Sequence, residues 1–348
     1  EDIMYNTINI DEALRLADAC FFDMRSPLEY AEGSIPGAVN VPIFDNAERA
    51  EIGTIYRQQA METAKTRGLE IASAKLPGLV QRIKAAAGRR QIIVYCWRGG
   101  MRSRSIATIL QLMGIRVYQL VGGYKAYRQY VLKRLQDYKI GPCFVVFHGL
   151  TGVGKTALLQ ELERDGWPVL DLESLANHRG SAFGHIGKGN GVTAKNFDAL
   201  LLAALDKYQG ERFVFVEAES KRIGNVYVPD CVMEAMRRGR HILLSATMET
   251  RVERLLHEYM NEPRQADNAD IFRSLETLQK RLGKAKTAKL RALLQAGKYE
   301  AFVEMLLVDY YDPLYDYSEK DVHKFDFHVS TENIRTAADD IVKFLSGG

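Results

Sequence analysis

Cysteine is scarce in this chain and never closely spaced. Its four copies, Cys20, Cys96, Cys143 and Cys231, include no C-x-x-C pair. Neither a metal cluster nor a disulfide framework is expected, and a reducing compartment fits this usage. Long apolar runs are missing too. The densest strand-like stretch, residues 143–147, falls far short of the ~18 apolar residues that span a bilayer, so no membrane partner is expected. The first residues, with Glu1, Asp2, Asp11 and Glu12, lack the basic-then-apolar pattern of a secretory signal, which points to the cytoplasm. No internal repeat or low-complexity tract is present. Charge of one sign is also nearly absent: the net value is +3, its excess lying in the first 138 residues. That balance permits a polyanionic partner without requiring one.

What the chain does have is 348 residues, 47% of them hydrophobic and 26% charged. This is too long for one ordinary core and too apolar for disorder, so two domains are expected. The turn formers Gly141 and Pro142 separate a helix-like run, 124–135, from a β-rich run, 143–147, and divide the chain into 1–138 and 139–348. In the first part, strand signals at 20–23, 91–96 and 117–120 alternate with helical ones such as 102–113. In the second, strands are expected at 143–147, 168–172, 213–217, 241–245 and 325–329. Such alternation implies βαβ units, hence an α/β protein with a mostly parallel sheet in each domain. Residues 249–307 read as helical, too long for a crossover, and define a helical insertion over about 249–320.

The first chemical signal is Cys96. A β-run delivers it to a loop holding Gly99 and Gly100, after which a helix begins. Loop amides and the amino end of a helix favour negative charge, and Arg98 and Arg102 add formal charge. Cys96 cradled by Arg98, Gly99, Gly100 and Arg102 thus reads as an ionised nucleophile; the competing reading is an inert cysteine in a core. Upstream stand Asp23-Met24-Arg25-Ser26, Glu29, and the run Gly33-Ser34-Ile35-Pro36-Gly37-Ala38-Val39-Asn40-Val41-Pro42. These resemble the first signature of the rhodanese (sulfurtransferase) family. The resemblance implies a rhodanese-like fold for 1–138 and a chalcogen atom carried on Cys96. The C-x5-R spacing from Cys96 to Arg102 is one residue longer than the commonest rhodanese loop and matches the cysteine-dependent phosphatases. A phosphatase therefore stays open, although it would need a carboxylic acid to protonate the leaving group.

The second signal is complete. Gly149, Leu150, Thr151, Gly152, Val153, Gly154, Lys155 and Thr156 satisfy G-x-x-x-x-G-K-[ST] between an expected strand and an expected helix, 156–162. Glycines let successive amides face one anion, Lys155 neutralises terminal phosphate oxygens, and Thr156 suits Mg²⁺. The second domain is therefore expected to be P-loop NTPase-like, and a diphosphate of any kind would satisfy the loop. The strand at 213–217 ends at Glu217, with Glu219 close behind; Asp171 and Glu173 end the preceding strand. Glu217 is a candidate metal ligand beside Thr156, and Asp171 a candidate for the phosphate pocket, the alternative for each being a solvated strand end. His178 and His185, in the glycine-rich stretch 177–184 and just after it, are candidates for proton transfer. Lys221 and Arg222 are offered to an anion, or are surface charge.

Residues 279–291 hold Lys280, Arg281, Lys284, Lys286, Lys289 and Arg291 and no acid. On one helix they would cover a face suited to tracking RNA phosphates, or form a solvated basic face. Tyr310, Tyr311, Tyr315 and Tyr317 surround Asp312-Pro313, placed to stack an unpaired base or to pack between helices.

Cys96-Trp97-Arg98-Gly99-Gly100, the P-loop after His148, Asn177-His178-Arg179-Gly180-Ser181 and Tyr311-Asp312-Pro313-Leu314-Tyr315 follow one another in this order. Together they resemble the bacterial tRNA 2-selenouridine synthases over essentially the whole chain. The resemblance implies that sulfur of 2-thiouridine at the tRNA wobble position is replaced by selenium from selenophosphate. It also implies S-geranylation of that sulfur with geranyl diphosphate, Mg²⁺ at the P-loop, and a selenophosphate-producing enzyme as a partner. The alternative from another class is an ATP-dependent kinase or ATPase fused to a generic sulfurtransferase, which would turn over ATP without tRNA.

Overall fold

The computed structural model describes residues 5–58, 60–178, 191–260, 268–315 and 324–347. Contacts divide the chain into two compact units. The first is Glu1–Asp137 together with Thr193–Leu202, and the second is Tyr138–Val192 together with Ala203–Gly348. The segment Thr193–Leu202 thus groups with the first unit, although the sequence reading assigns it to the second.

In the first unit, strands β1 (Asn6–Ile8), β2 (Ala19–Asp23), β3 (Val39–Asn40), β4 (Gln91–Tyr95) and β5 (Val117–Leu120) form one parallel sheet in the order β1-β5-β4-β2-β3. The inner strands β2 and β4 read as almost unbroken apolar runs because a parallel sheet is covered on both faces. Phe22, Val94, Ile106, Leu110 and Ile83 are wholly buried in its core. The helix Pro27–Glu32 starts cleanly: Ser26 caps it, Pro27 takes its first turn, and Glu29 reaches back to the Ser26 amide at 3.0 Å. The helices Asn46–Gln58 and Met61–Ala87 have no counterpart in the sequence reading. In the longer one the buried residues are Ala64, then Leu79, Val80, Ile83 and Ala87, so most of its length shows no apolar stripe to read.

In the second unit, β6 (Cys143–His148), β7 (Val169–Leu170), β8 (Phe213–Glu217), β11 (Arg240–Ser245) and β12 (Phe327–Ser330) form a parallel sheet ordered β12-β11-β6-β8-β7. A small antiparallel hairpin, β9 (Arg222–Ile223) with β10 (Val226–Tyr227), stands apart. The chain leaves β6 for one side of the sheet and leaves β8 for the other. The direction reverses between these neighbours, and such a switch point opens a crevice beyond their carboxyl ends. Phe147, Phe215, Leu158, Leu162 and Ile341 fill the core around it.

The helical insertion differs from the single run expected. It consists of Met248–Met260, Asn268–Gln295 and Tyr299–Leu306, followed by a π turn over Leu307–Tyr311 and a short 3-10 turn over Asp312–Leu314. Gly283, at φ 79° and ψ 161°, breaks Asn268–Gln295 into two helices. Leu255, Leu275, Leu278, Leu290, Leu294 and Phe302 give these helices a core of their own. Among the described residues, no helix is long and apolar enough to cross a membrane, and all four cysteines are free.

Candidate active sites on two strand-to-helix loops

Cys96 directly follows β4, and the helix Met101–Leu112 begins immediately after the Gly99-Gly100 pair, with Gly100 as its N-cap. The Gly100 amide donates to Cys96 Sγ at 3.2 Å, and Ser103 Oγ lies 3.3 Å from the same sulfur. Gln119, on the neighbouring strand β5, donates through Nε2 to Ser103 Oγ and to the Gly99 carbonyl, each at 2.9 Å. The loop is fastened from behind by the helix Gly123–Gln136, whose Tyr124 and Lys125 amides donate to the carbonyls of Cys96 and Trp97 at 2.8 and 3.0 Å. Gly123 makes this possible. Its φ is +57°, and a Cβ there would lie 2.2 Å from the Cys96 carbonyl oxygen.

The cradle differs from the expected one in its charge. Arg98 is exposed. Arg102 points its guanidinium at Glu29, at 2.6 and 3.3 Å, and Arg49 approaches the same carboxylate at 3.5 Å. Burial works against ionising Glu29, but the Arg102 hydrogen bond and charge, the Ser26 amide and Arg49 outweigh it and hold the carboxyl at about 2. Of the two arginines expected to serve the sulfur, Arg102 is therefore already neutralised. Cys96 itself is 3% exposed.

The P-loop runs from β6 into the helix Lys155–Arg164. Gly152, at φ +83°, lies so close to Arg251 that a Cβ would stand 3.0 Å from its carbonyl oxygen. Lys155 Nζ folds back onto the carbonyls of Gly149 and Leu150 at 3.1 and 3.3 Å. It also lies 5.9 Å from the ring centre of Tyr315, whose hydroxyl is 3.1 Å from Thr151 Oγ1. Thr156 Oγ1 donates to Glu217 at 2.8 Å, and Glu217, Glu219 and Glu173 bring carboxylate oxygens within 4.8 Å of one another. Burial, with Glu173 and Asp171 adding to it and Lys155 opposing, lifts Glu217 to about 7. Burial and the charges of Glu173 and Glu217 lift Glu219 to about 8. Asp171 is occupied locally, since its Oδ1 accepts from the Ser174 amide at 2.8 Å and caps the helix Leu172–Ala176.

Sequence reading missed what supports this loop. Arg251, only 4% exposed, donates to the Thr151 carbonyl at 2.8 Å and grips both oxygens of Asp312. Arg254 donates to the Val153 carbonyl at 2.8 Å and to that of Thr331, and Thr331 Oγ1 donates to Val153 as well. His148, the last residue of β6, shares a 2.8 Å hydrogen bond with His241; burial first, then His241 and Lys155, lower it to about 4. Two arginines one helical turn apart were the available signal, but nothing local ties them to a loop some hundred residues earlier.

Residues 9–130 match the rhodanese-like domain family, and residues 142–343 match the tRNA 2-selenouridine synthase AAA domain. The chain is 34% identical to a tRNA 2-selenouridine synthase of Bordetella bronchiseptica over 339 residues, covering 88% of this chain and 90% of the relative. With one of Bdellovibrio bacteriovorus it shares 33% over 335 residues, 84% of this chain and 87% of the relative. With one of Nitrosomonas eutropha it shares 38% over 263 residues, 73% and 68% of the two chains.

The chain belongs to the tRNA 2-selenouridine synthase family. It is an enzyme of the α/β class, with a rhodanese-like domain followed by a P-loop domain. In this member of the synthase family the remaining sequence candidates fall unevenly around the two loops. Lys221 is paired with Asp230 at 2.6 Å, and Arg222 donates to Gly224 within its own hairpin. Asn177 ends the helix Leu172–Ala176 in a left-handed turn, and the His178 amide donates to the Glu173 carbonyl. Arg179 to Gly184, His185 and Tyr317 lie outside the described residues. Tyr311 is buried edge-on against Tyr310 at 5.1 Å, which is packing rather than a free stacking platform.

The basic residues over 279–291 of this synthase-family chain are all exposed, yet they do not share one helix. Gly283 separates Lys280 and Arg281 from Lys284, Lys286, Lys289 and Arg291. Lys286 is paired with Asp309 at 2.6 Å and Arg291 with Glu276 at 3.2 Å. Among the described residues, Lys280, Arg281, Lys284 and Lys289 have no such carboxylate partner.

Proposed function

We propose that this chain replaces the 2-thio sulfur of a tRNA wobble uridine with selenium in two chemical stages, one at each loop. Sulfide is a poor leaving group from the C2 thiocarbonyl, and alkylating the sulfur lets it leave as a thiolate. On this reading the P-loop grips the diphosphate of geranyl diphosphate through the amides from Gly149 to Thr156 and through Lys155. The thiocarbonyl sulfur displaces diphosphate from the geranyl carbon. The Cys96 thiolate attacks the phosphorus of selenophosphate and expels selenide, and water then hydrolyses the phosphocysteine to phosphate and thiol; the selenide attacks C2, and the geranyl thiolate leaves. The observation that carries the proposal is the pairing, in one chain of this family, of a cysteine whose sulfur accepts from the Gly100 amide with a complete P-loop.

A divalent cation fits the second site on its donor chemistry. Thr156, Glu217, Glu219 and Glu173 offer only hard oxygen atoms, clustered beside the phosphate loop. Glu217 and Glu219, lifted to about 7 and about 8, release protons when they take a cation. Mg²⁺ there would supply charge neutralisation for a leaving diphosphate. Lys155 leaves the carbonyls of Gly149 and Leu150 to meet phosphate oxygens, and Tyr315 lies beside that path.

tRNA would be held in part by Lys280, Arg281, Lys284 and Lys289, which have no carboxylate partner among the described residues and follow phosphates without reading sequence. Incubating thiolated tRNA with the protein, selenophosphate and geranyl diphosphate, and omitting each in turn, tests the order of events. Mass spectrometry of the nucleosides should show S-geranyl-2-thiouridine when selenophosphate is omitted and unchanged 2-thiouridine when geranyl diphosphate is omitted. 2-Selenouridine formed without geranyl diphosphate would reject the two-stage scheme.

A further inference from the structure

A sulfur anion is stabilised by the donors that face it, and among the described residues those within hydrogen-bonding reach of Cys96 are uncharged. The Gly100 amide is one, at 3.2 Å. The other is Ser103, wholly buried, with Oγ 3.3 Å from Sγ and 3.3 Å from the Gly100 carbonyl oxygen. A hydroxyl has one hydrogen to give. Its oxygen already accepts from Gln119 at 2.9 Å, so that hydrogen has two acceptors in range, the sulfur and the carbonyl.

Gln119 cannot be turned over without cost. Its Nε2 also faces the Gly99 carbonyl at 2.9 Å, and a carbonyl only accepts; a flipped amide would set two oxygens against each other. Gln119 is 5% exposed and pairs in register with Val94, two residues before Cys96, so the sheet itself fixes where its amide lies. Arg102 is bound to Glu29 and Arg98 is exposed, which leaves Ser103, among the described residues, as the polar side chain on the sulfur, with Gln119 behind it.

We propose that Ser103 is a catalytic residue of the cysteine site, turning its hydrogen from the Gly100 carbonyl to the Cys96 sulfur when that sulfur carries charge, and that Gln119 is the positioning residue that holds the hydroxyl ready for the turn. The inference rests on Cys96 being the reactive atom. It adds a hydroxyl donor to the loop amides and explains how the site serves an anion while its nearest arginine is engaged elsewhere. A hydrogen bond to an ionised group contributes about tenfold in an equilibrium constant or somewhat more.

The test follows the rate of Cys96 alkylation by iodoacetamide against pH in the full chain, with the labelled peptide identified by mass spectrometry. Ser103→Ala should move the profile upward by about one pH unit, making alkylation near neutral pH about tenfold slower. Gln119→Leu, which leaves the serine in place, should move it in the same direction by less. Profiles that coincide with that of the unaltered protein in both variants overturn the proposal. Should Ser103→Ala fail to fold, the Gln119→Leu arm decides alone, since an unmoved profile there removes the positioning role on which the turn depends. Failure of the underlying reading looks different: Cys96 of the unaltered protein would then resist alkylation at every pH.

Discussion

Removing the guanidinium of Arg251 gives the sharpest physical test of how the P-loop is held. Arg251→Met keeps most of the apolar stem but deletes three hydrogen bonds, one to the Thr151 carbonyl and two to Asp312. Arg251 is 4% exposed while the Asp312 side chain keeps 25% exposure. Taking one partner from a fully buried ion pair costs ~3–5 kcal/mol, and water reaching Asp312 places this case at the lower end, near ~3 kcal/mol. With a urea dependence of ~1–3 kcal/mol per molar, the unfolding midpoint of the affected transition should fall by roughly 1 M or more. Urea titration followed by circular dichroism reads this directly. Adding Asp312→Leu to Arg251→Met should recover part of the loss, because an apolar pair strands no charge. A midpoint within ~0.2 M of the parent, or a double variant less stable than the single one, would refute the claim that this pair buttresses the loop.

Further expectations concern charge. Glu29 is held at about 2 in the folded chain, below the ordinary 4.5, so it contributes stability above pH 4.5 that is lost as pH falls toward 2; thermal melts of Glu29→Gln should start lower and show a flatter decline across that acidic window, and an unchanged slope would contradict the Arg102 pairing. Above about pH 6.5, where the lowered His148 no longer titrates, Glu217 and Glu219 act in the opposite sense. Their raised values make the folded state hold protons that the unfolded chain has released, so stability declines as pH rises toward 8, and Mg²⁺ should restore it most at the alkaline end. A melting temperature that climbs with pH in this range, without cation, would count against the buried carboxylate cluster. For tRNA, Lys284→Ala with Lys289→Ala should flatten the slope of log affinity against log salt by about two, whereas Lys286→Ala, already paired with Asp309, should change it less. Equal effects from all three would mean that the Asp309 pairing does not persist on the RNA.

The chemistry of this chain was more legible than its supports. Strands β4, β5, β6 and β8 stood out because buried parallel strands are short apolar runs, and both reactive loops follow such strands directly. The strands β1, β3, β9 and β10, of two or three residues, leave no period to detect. Gly283 was visible as a letter, yet its break in the basic helix depends on a positive φ that the surrounding leucine pattern does not announce. The Arg251–Asp312 pair joins residues 61 apart, and Gln119 reaches Ser103 only because β5 lies beside β4 in one register. Such contacts are products of topology rather than of local sequence. Arg102 shows the converse. Its position after Cys96 suggested a charge for the sulfur, whereas the fold brings Glu29 to it from the capped helix at the start of the first signature.

The two-loop division of labour is tested most directly by nucleoside mass spectrometry on thiolated tRNA treated with selenophosphate, geranyl diphosphate and one of two variants. Cys96→Ala should stop the reaction at S-geranyl-2-thiouridine, and Lys155→Ala should leave 2-thiouridine largely untouched. If Cys96→Ala still yields 2-selenouridine at the rate of the parent, that sulfur does not deliver the selenium.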